Sequence, residues 1–100
     1  MYKRQILSDV KSKTVFDYEM IDVYLFTCET AVEFVWEYEF ASIPVFNMVS
    51  KTFDSAIALI KLCNMEKEYK DRCEKICSKI TFDRELKSEI TEIYNKVYKA

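Results

Sequence analysis

Apolar side chains recur at three- and four-residue steps along most of this chain, which is the pattern of amphipathic helices. A first helical segment is predicted from about Tyr2 to Lys13. Its apolar positions are Ile6, Leu7 and Val10. A second segment is predicted from about Asp17 to Phe40, with the Asp17 carboxylate placed to cap its first turn.

The end of the second segment, EFVWEYEF, admits two interpretations. Large apolar residues alternate there with mostly acidic ones, which is also a strand pattern. The alternating large residues are Phe34, Trp36, Tyr38 and Phe40. We favour a helix because the apolar stripe continues unbroken from Met20 and no hairpin signal accompanies the run. One helical face has room for only about half of these rings, so some are expected to be exposed.

The second half of the chain predicts three further helices. Pro44 disfavours helical geometry in the residue before it, so Ser42–Pro44 is predicted to end the second segment, with a short extended stretch near residues 42–46. A third helix is predicted from about Val45 or Asn47, and Asn64 either ends it or lies inside one long helix. The buried positions of the third and fourth helices are Phe53, Ile57, Ile60, Cys63, Tyr69, Cys73, Ile76, Cys77 and Ile80.

Thr81 is the predicted cap of the last helix. That helix carries a regular apolar stripe, which consists of Leu86, Ile90, Ile93 and Val97. The chain is therefore predicted to be all-α, a small helical bundle of four or five helices forming one domain over residues 1–100.

Composition narrows the class of protein. Half of the residues are apolar, which argues against disorder, and there is no glycine and one proline, which favours helices over tight turns. The longest apolar run, AIALI, is five residues, far short of the ~20 that span a bilayer. Four cysteines without a secretory signal indicate reduced thiols. We therefore predict a cytoplasmic protein that is not membrane-bound.

Candidate chemistry is sparse. The chain has no histidine, which removes the commonest general base and metal ligand, and no glycine for a phosphate-binding loop. Cys28, Cys63, Cys73 and Cys77 together offer a zinc site in principle, but each lies in an apolar stripe, which favours buried free thiols. Basic residues after position 60 alternate with acidic ones, which cancels the field that nucleic acid requires. No enzyme activity, cofactor, metal or direct nucleic-acid binding is predicted.

Charge is distributed unevenly along the chain. Residues 1–13 carry a net charge of +3, residues 14–50 carry −7 with no Lys or Arg, and residues 51–100 carry +2, which together give −2. On a helix, Asp22, Glu29, Glu33 and Glu37 fall within about 80° of one another. Each acidic i, i+4 pair in that stripe costs about 0.2–0.5 kcal/mol. A basic surface is therefore expected to face the stripe, either from the later helices or from a partner.

These features favour a protein-binding function. In its acidity, compactness and lack of catalytic motifs the chain is similar in kind to small bacterial immunity proteins, antitoxins and phage-encoded inhibitors. We predict a non-catalytic inhibitor that neutralises a basic, nuclease-type toxin or nucleic-acid-handling protein. The predicted contact residues are Asp22, Glu29, Glu33, Trp36, Glu37, Tyr38 and Glu39. This hypothesis requires that these carboxylates form no ion pairs with Lys or Arg residues of the same chain.

Three other interpretations stay open at this level. In the first, bases of the same chain neutralise the acidic stripe, or the stripe is simply a solvated face, as charged helix faces usually are. The chain is a structural or oligomeric subunit, such as a homodimer that buries its exposed aromatics in a self-contact. Alternatively, it is a viral decoy that binds a helix of a host protein in an apolar groove.

Overall fold

A computed structural model describes residues 15–39 and 42–98 of the chain, with side chains from residue 19 onward. Four helices follow one another in this part: α1 (Val15–Tyr38), α2 (Ile43–Cys63), α3 (Glu66–Lys79) and α4 (Arg84–Tyr98). No strand occurs among the described residues. The predicted all-α bundle is confirmed, and the predicted first segment from Tyr2 to Lys13 lies outside the described residues.

Helix α1 settles the choice between helix and strand for the acidic run. The helix is continuous to Tyr38, so the helical interpretation is confirmed that far, while Phe40 lies outside the described residues. The prediction that Asp17 caps this helix is wrong, because α1 already includes Val15 and Asp17 lies within its first turn.

Helix α2 begins earlier than the sequence predicted. Ser42 is its N-cap, with extended backbone angles (φ −147°, ψ 148°), and its hydroxyl accepts a 3.4 Å hydrogen bond from the Val45 amide. Pro44 lies in the first turn, where its missing N–H leaves no helical hydrogen bond unmade. The predicted start at Val45 or Asn47 and the extended stretch over residues 42–46 are therefore wrong, and only Ser42 is extended.

Two further boundaries depend on single polar residues. Asn64 adopts the left-handed conformation (φ 57°) and its amide bonds the last carbonyls of α2, which separates α2 from α3. At the start of α4, an Asp83 carboxylate oxygen accepts a 2.8 Å hydrogen bond from the Leu86 amide. Asp83 thus satisfies an amide of the first turn, and the prediction that Thr81 caps this helix is wrong.

The hydrophobic core lies between the four helices, with α2 in contact with each of the other three. The predicted buried positions of the last three helices are confirmed, because they are fully or nearly fully buried, except Cys77 and Val97, which are half-buried. The stripe predicted for α1 is confirmed up to Val35, with Met20, Tyr24 and Ala31 half-buried, but Trp36 at its end is exposed. The largest fully buried side chain is Phe53, in the middle of α2. At one end of the bundle the Phe46 and Phe82 rings stack with their centroids 5.7 Å apart.

Helix α2 is also long and apolar enough to cross a membrane when judged by length and composition alone, the one such helix among the described residues. In this fold one side of α2 lies in the core, while its apolar residues Ile43, Met48 and Leu62 are exposed. Its exposed side carries Lys51 and Asp54, and the Asp54 carboxylate pairs with Lys96 of α4 at 3.4 Å.

Candidate functional site

The predicted acidic stripe lies along the side of α1 that faces α3. There Arg72 of α3 binds two of its carboxylates. The Arg72 Nε and Nη2 atoms donate to the two oxygens of Glu29 at 3.1 and 3.0 Å, and Nη1 donates to Asp22 Oδ1 at 2.7 Å. The hydrogen bonds to Glu29 raise the pKa of the Arg72 guanidinium above its ordinary value. The bidentate contact between Arg72 and Glu29 joins α1 to α3 more firmly than a single hydrogen bond would.

A second set of contacts joins the same two helices two turns further along. Lys79 Nζ donates to a Glu33 carboxylate oxygen at 3.3 Å, and the indole N–H of Trp36 donates to the Lys79 carbonyl oxygen at 2.7 Å. The pairings advance in the same direction along both helices, so α1 and α3 run parallel. The ends of α1 and α3 therefore meet at one end of the bundle.

These contacts divide the predicted contact residues into two groups. Asp22, Glu29 and Glu33 are paired by bases of the chain itself, as the interpretation of neutralisation within the fold expected. Glu37 and Glu39 are exposed and form no ion pair with any basic side chain in the described ranges. The open part of the stripe is therefore its C-terminal end.

We call Trp36, Glu37, Tyr38 and Glu39 the acidic end of α1. Both aromatic rings there are well exposed, Trp36 at 55% and Tyr38 at 68%. The Tyr38 ring lies against Phe34, with centroids 5.0 Å apart, which limits its freedom to reorient. Glu39 follows the helix with a positive φ of 50°, in the left-handed region that favours glycine.

Two shallow cavities line the junction of α1 and α3. One of about 260 Å³ is lined by Phe26, Thr30 and Glu33 of α1 and by Lys75 and Lys79 of α3. A second, of about 500 Å³ and widely open, lies between Trp36 and Glu37 on one side and Ser78 on the other. Open hollows of this kind can receive side chains of another protein, whereas a small-molecule site encloses most of its ligand.

The thiols do not form a reactive or metal-binding centre in the described structure. All four cysteines are free, and no group of three His, Cys, Asp or Glu side chains among the described residues is arranged to hold a metal ion. Burial raises the pKa of Cys28 and Cys73 from 9.0 to about 12, and that of Cys77 to about 11. These thiols therefore stay protonated near neutral pH.

Sequence reasoning missed Arg72 and Lys79 as the bases that hold α1. They lie seven residues apart, hence on one side of α3. Asp22 and Glu29 both bind Arg72 while Glu33 binds Lys79, so the spacing of the acids does not match the spacing of these bases and gives no signal for them.

Comparison with protein-family models, with curated proteins and with solved structures found no match to this chain. Its function is therefore inferred from the geometry of its own surface.

Proposed function

We propose that this protein is a non-catalytic protein-binding module that inhibits a basic partner, in the manner of an immunity protein or an antitoxin. The observation that carries the proposal is the acidic end of α1. It contains two exposed carboxylates, which form no ion pair with a described base, and two exposed aromatic rings. Trp and Tyr are among the side chains that most often dominate binding at protein interfaces.

The two kinds of side chain have separate roles in this proposal. Glu37 and Glu39 attract a positive surface and raise the rate of encounter, an effect that salt weakens. Trp36 and Tyr38 supply contact area once the partner is bound. A nuclease or another nucleic-acid-handling protein is the best candidate partner, because the channel that holds its substrate must be positive.

The paired carboxylates limit how much of α1 takes part. Asp22, Glu29 and Glu33 each face a base at 3.3 Å or less, so their contribution to the field around the molecule is largely cancelled. The proposal is accordingly narrower than the sequence alone predicted. The contact is centred on the acidic end of α1, and the three paired residues stabilise the helix that presents it.

A non-catalytic role agrees with the side chains available. The chain has no histidine, and its buried thiols are protonated near neutral pH, whereas a nucleophilic cysteine acts as the thiolate. We place the protein in the cytoplasm, where reduced thiols are the normal state.

Affinity capture from the native host at low salt tests the proposal. The bait is the wild-type chain, compared with Glu37→Lys/Glu39→Lys and with the control Glu89→Lys/Glu92→Lys, which alters net charge equally at two exposed carboxylates of α4. We expect a basic protein to be retained by the wild type and the control and lost by the first variant. Circular dichroism checks that all three baits are folded. Equal retention by all three would show that the acidic end is not the interface.

A further inference from the structure

Helix α1 is apolar on two opposite sides. At about 100° per residue, its buried side chains cluster around one direction, and a second apolar set lies about 180° away. The buried set consists of Ile21, Leu25, Cys28, Val32 and Val35. The opposite set, here called the outer face of α1, consists of the apolar residues Val23, Phe26 and Phe34 and the polar residue Thr30. An amphipathic helix of a globular protein normally carries polar and charged residues on the side opposite its buried stripe.

The described residues of the chain leave much of the outer face exposed. Val23 is 54% exposed and Phe26 64% exposed, while Phe34 is exposed and touches Tyr38. Three of the eight large apolar side chains that are exposed in the described residues lie on this one face of α1. Clustered exposure of this kind marks an interaction surface more often than scattered single residues do.

Carboxylates mark both ends of the outer face. Glu19 and Glu37 point in the same direction as its centre and are eighteen residues apart, which is about 27 Å along the axis. Both are exposed, and neither forms an ion pair with a base in the described ranges. The outer face is therefore an apolar strip with a negative charge at each end.

We propose that the outer face of α1 docks one amphipathic helix of the partner, with apolar side chains along its centre and basic side chains at both ends. This inference rests on the proposed function and specifies how the partner is held. A strip confined to about 80° of the α1 surface and about three turns long, or about five turns with the carboxylates at its ends, matches one face of a single helix. The hollow beside Phe26 and Thr30 gives that helix a place to insert a side chain.

The position of Lys75 refines the charge pattern of the partner. Lys75 lines the α3 side of the hollow and forms no ion pair with an acid in the described part of the chain. Glu29 and Glu33 also line the hollow, but Arg72 and Lys79 pair with these carboxylates. The charge left without a described partner is that of Lys75, which a basic residue in the middle of the docked helix would meet. The partner's basic residues therefore belong at the two ends, opposite Glu19 and Glu37.

A second copy of the chain fits this surface less well. Antiparallel pairing of two outer faces brings Glu19 of each copy to Glu37 of the other, and parallel pairing brings identical carboxylates together. Either arrangement places like charges at both ends of the contact, which opposes association.

A helical peptide probe tests the charge pattern proposed for the partner helix and its binding to the outer face of α1. The probe is a fluorescein-labelled, eighteen-residue helical peptide with leucines on one face and two lysines at each end, compared with the same peptide carrying glutamates at the ends. We expect the lysine-ended peptide to bind the wild-type chain about tenfold or more tightly than the glutamate-ended one, by anisotropy at low salt. Equal affinity for the two peptides would overturn the proposed charge pattern.

Variants of the outer face supply the matched comparison. Val23→Ser/Phe26→Ser is expected to weaken binding of the lysine-ended peptide by about tenfold or more. The control Leu62→Ser removes an exposed apolar side chain (77%) at the far end of α2 and is expected to leave affinity unchanged. Equal loss in both variants, or in neither, would overturn the assignment of the face. So would a wild-type dimer in sedimentation that Val23→Ser/Phe26→Ser dissociates.

The same variants used as capture baits separate this inference from the proposed function. If Val23→Ser/Phe26→Ser retains the basic partner while Glu37→Lys/Glu39→Lys loses it, the docked helix is wrong and the proposed function stands. If the outer-face variant loses the partner and the charge variant keeps it, the outer face is the interface and the acidic end is not. If both variants retain the basic partner, both proposals are wrong. The expected result is that both variants lose it.

Discussion

Arg72 is expected to be the most important charged residue for the stability of the bundle. It belongs to α3, yet its guanidinium bonds carboxylates of α1 that lie 43 and 50 residues away in the chain. Replacing it by methionine keeps most of the aliphatic stem and removes three hydrogen bonds at once. The perturbation therefore affects the link between α1 and α3 rather than the packing beneath it.

The magnitude follows from the geometry. An exposed ion pair contributes about 0.2–1 kcal/mol, and a hydrogen bond to a charged group contributes up to about 1.5–3 kcal/mol. The Arg72 side chain is 34% exposed, so solvent screens part of the interaction. The variant also uncovers the repulsion between Glu29 and Glu33, worth about 0.2–0.5 kcal/mol. We expect Arg72→Met to lower the free energy of unfolding by about 1–2 kcal/mol.

Urea denaturation followed by circular dichroism at low salt measures this loss. Because 1 kcal/mol shifts the melting temperature of a domain of this size by about 4–8 °C, thermal melting shows it as well. Arg72→Lys keeps the charge but not the two-pronged geometry, so it is expected to fall between the wild type and Arg72→Met. The control is Lys75→Met, an exposed base of the same helix without an ion pair in the described ranges.

A double-mutant cycle isolates the pair itself. Arg72→Met and Glu29→Gln, alone and together, are expected to show a coupling of about 1 kcal/mol that shrinks in high salt. If Arg72→Met destabilises the chain no more than Lys75→Met does, the guanidinium contributes nothing measurable to holding α1 in place. The reasoning from its hydrogen bonds would then be refuted.

Three further outcomes are expected. Because burial raises the pKa of Cys28 and Cys73 from 9.0 to about 12, the unfolded chain loses these protons first, so the contribution of the two protonated thiols to stability is fully present below about pH 9 and is lost as pH rises towards 12; urea denaturation at pH 8 and pH 10 checks this, and an unchanged midpoint would contradict it. Glu39→Gly relieves a positive φ and is expected to stabilise the chain by about 1 kcal/mol, more than Asn64→Gly does, since asparagine tolerates that conformation; equal gains in thermal melting would argue against strain at Glu39. Trp36→Phe removes a hydrogen bond to the end of α3 and is expected to cost about 0.5–1 kcal/mol, measured by circular dichroism in urea, with no loss if water replaces the bond equally well.

Much of this fold follows from periodicity alone. The stripe of α4 and the buried positions of α2 were predictable because each buried side chain recurs at the helical repeat and faces a single core. The helical state of residues 33–38 followed in the same way, since the buried positions Val32 and Val35 continue the stripe of the preceding turns.

Helix boundaries were harder to predict because several residues near each end can act as the cap. Thr81 and Asp83 are both good N-cap residue types, and both follow the buried residue Ile80. In the structure Asp83 accepts the hydrogen bond from the first turn of α4. A proline such as Pro44 can mark either the end of one helix or the first turn of the next, so the sequence alone does not decide between the two. The N-cap geometry of Ser42 shows that it begins α2.

The candidate site was predictable only in part, because ion pairs across helices depend on how the helices are aligned. The sequence shows that seven acids between residues 14 and 50 have no base nearby, but eleven bases follow residue 50. Which of them reach α1 is decided by the packing of α3 parallel to it. Arg72 and Lys79 pair with carboxylates of α1, whereas Lys75 between them pairs with no acid of the described residues.

The division of the acids along α1 is what connects the fold to a function. The carboxylates on the α3 side have a structural reason to be there, because each completes a contact that holds two helices together. Glu19, Glu37 and Glu39 have no such reason among the described residues, and Glu37 and Glu39 oppose the dipole at the helix end. Val23 and Phe26 likewise add nothing to the core. Side chains that oppose or ignore the stability of the monomer, grouped on one helix, are most simply explained by a contact that the monomer alone does not make.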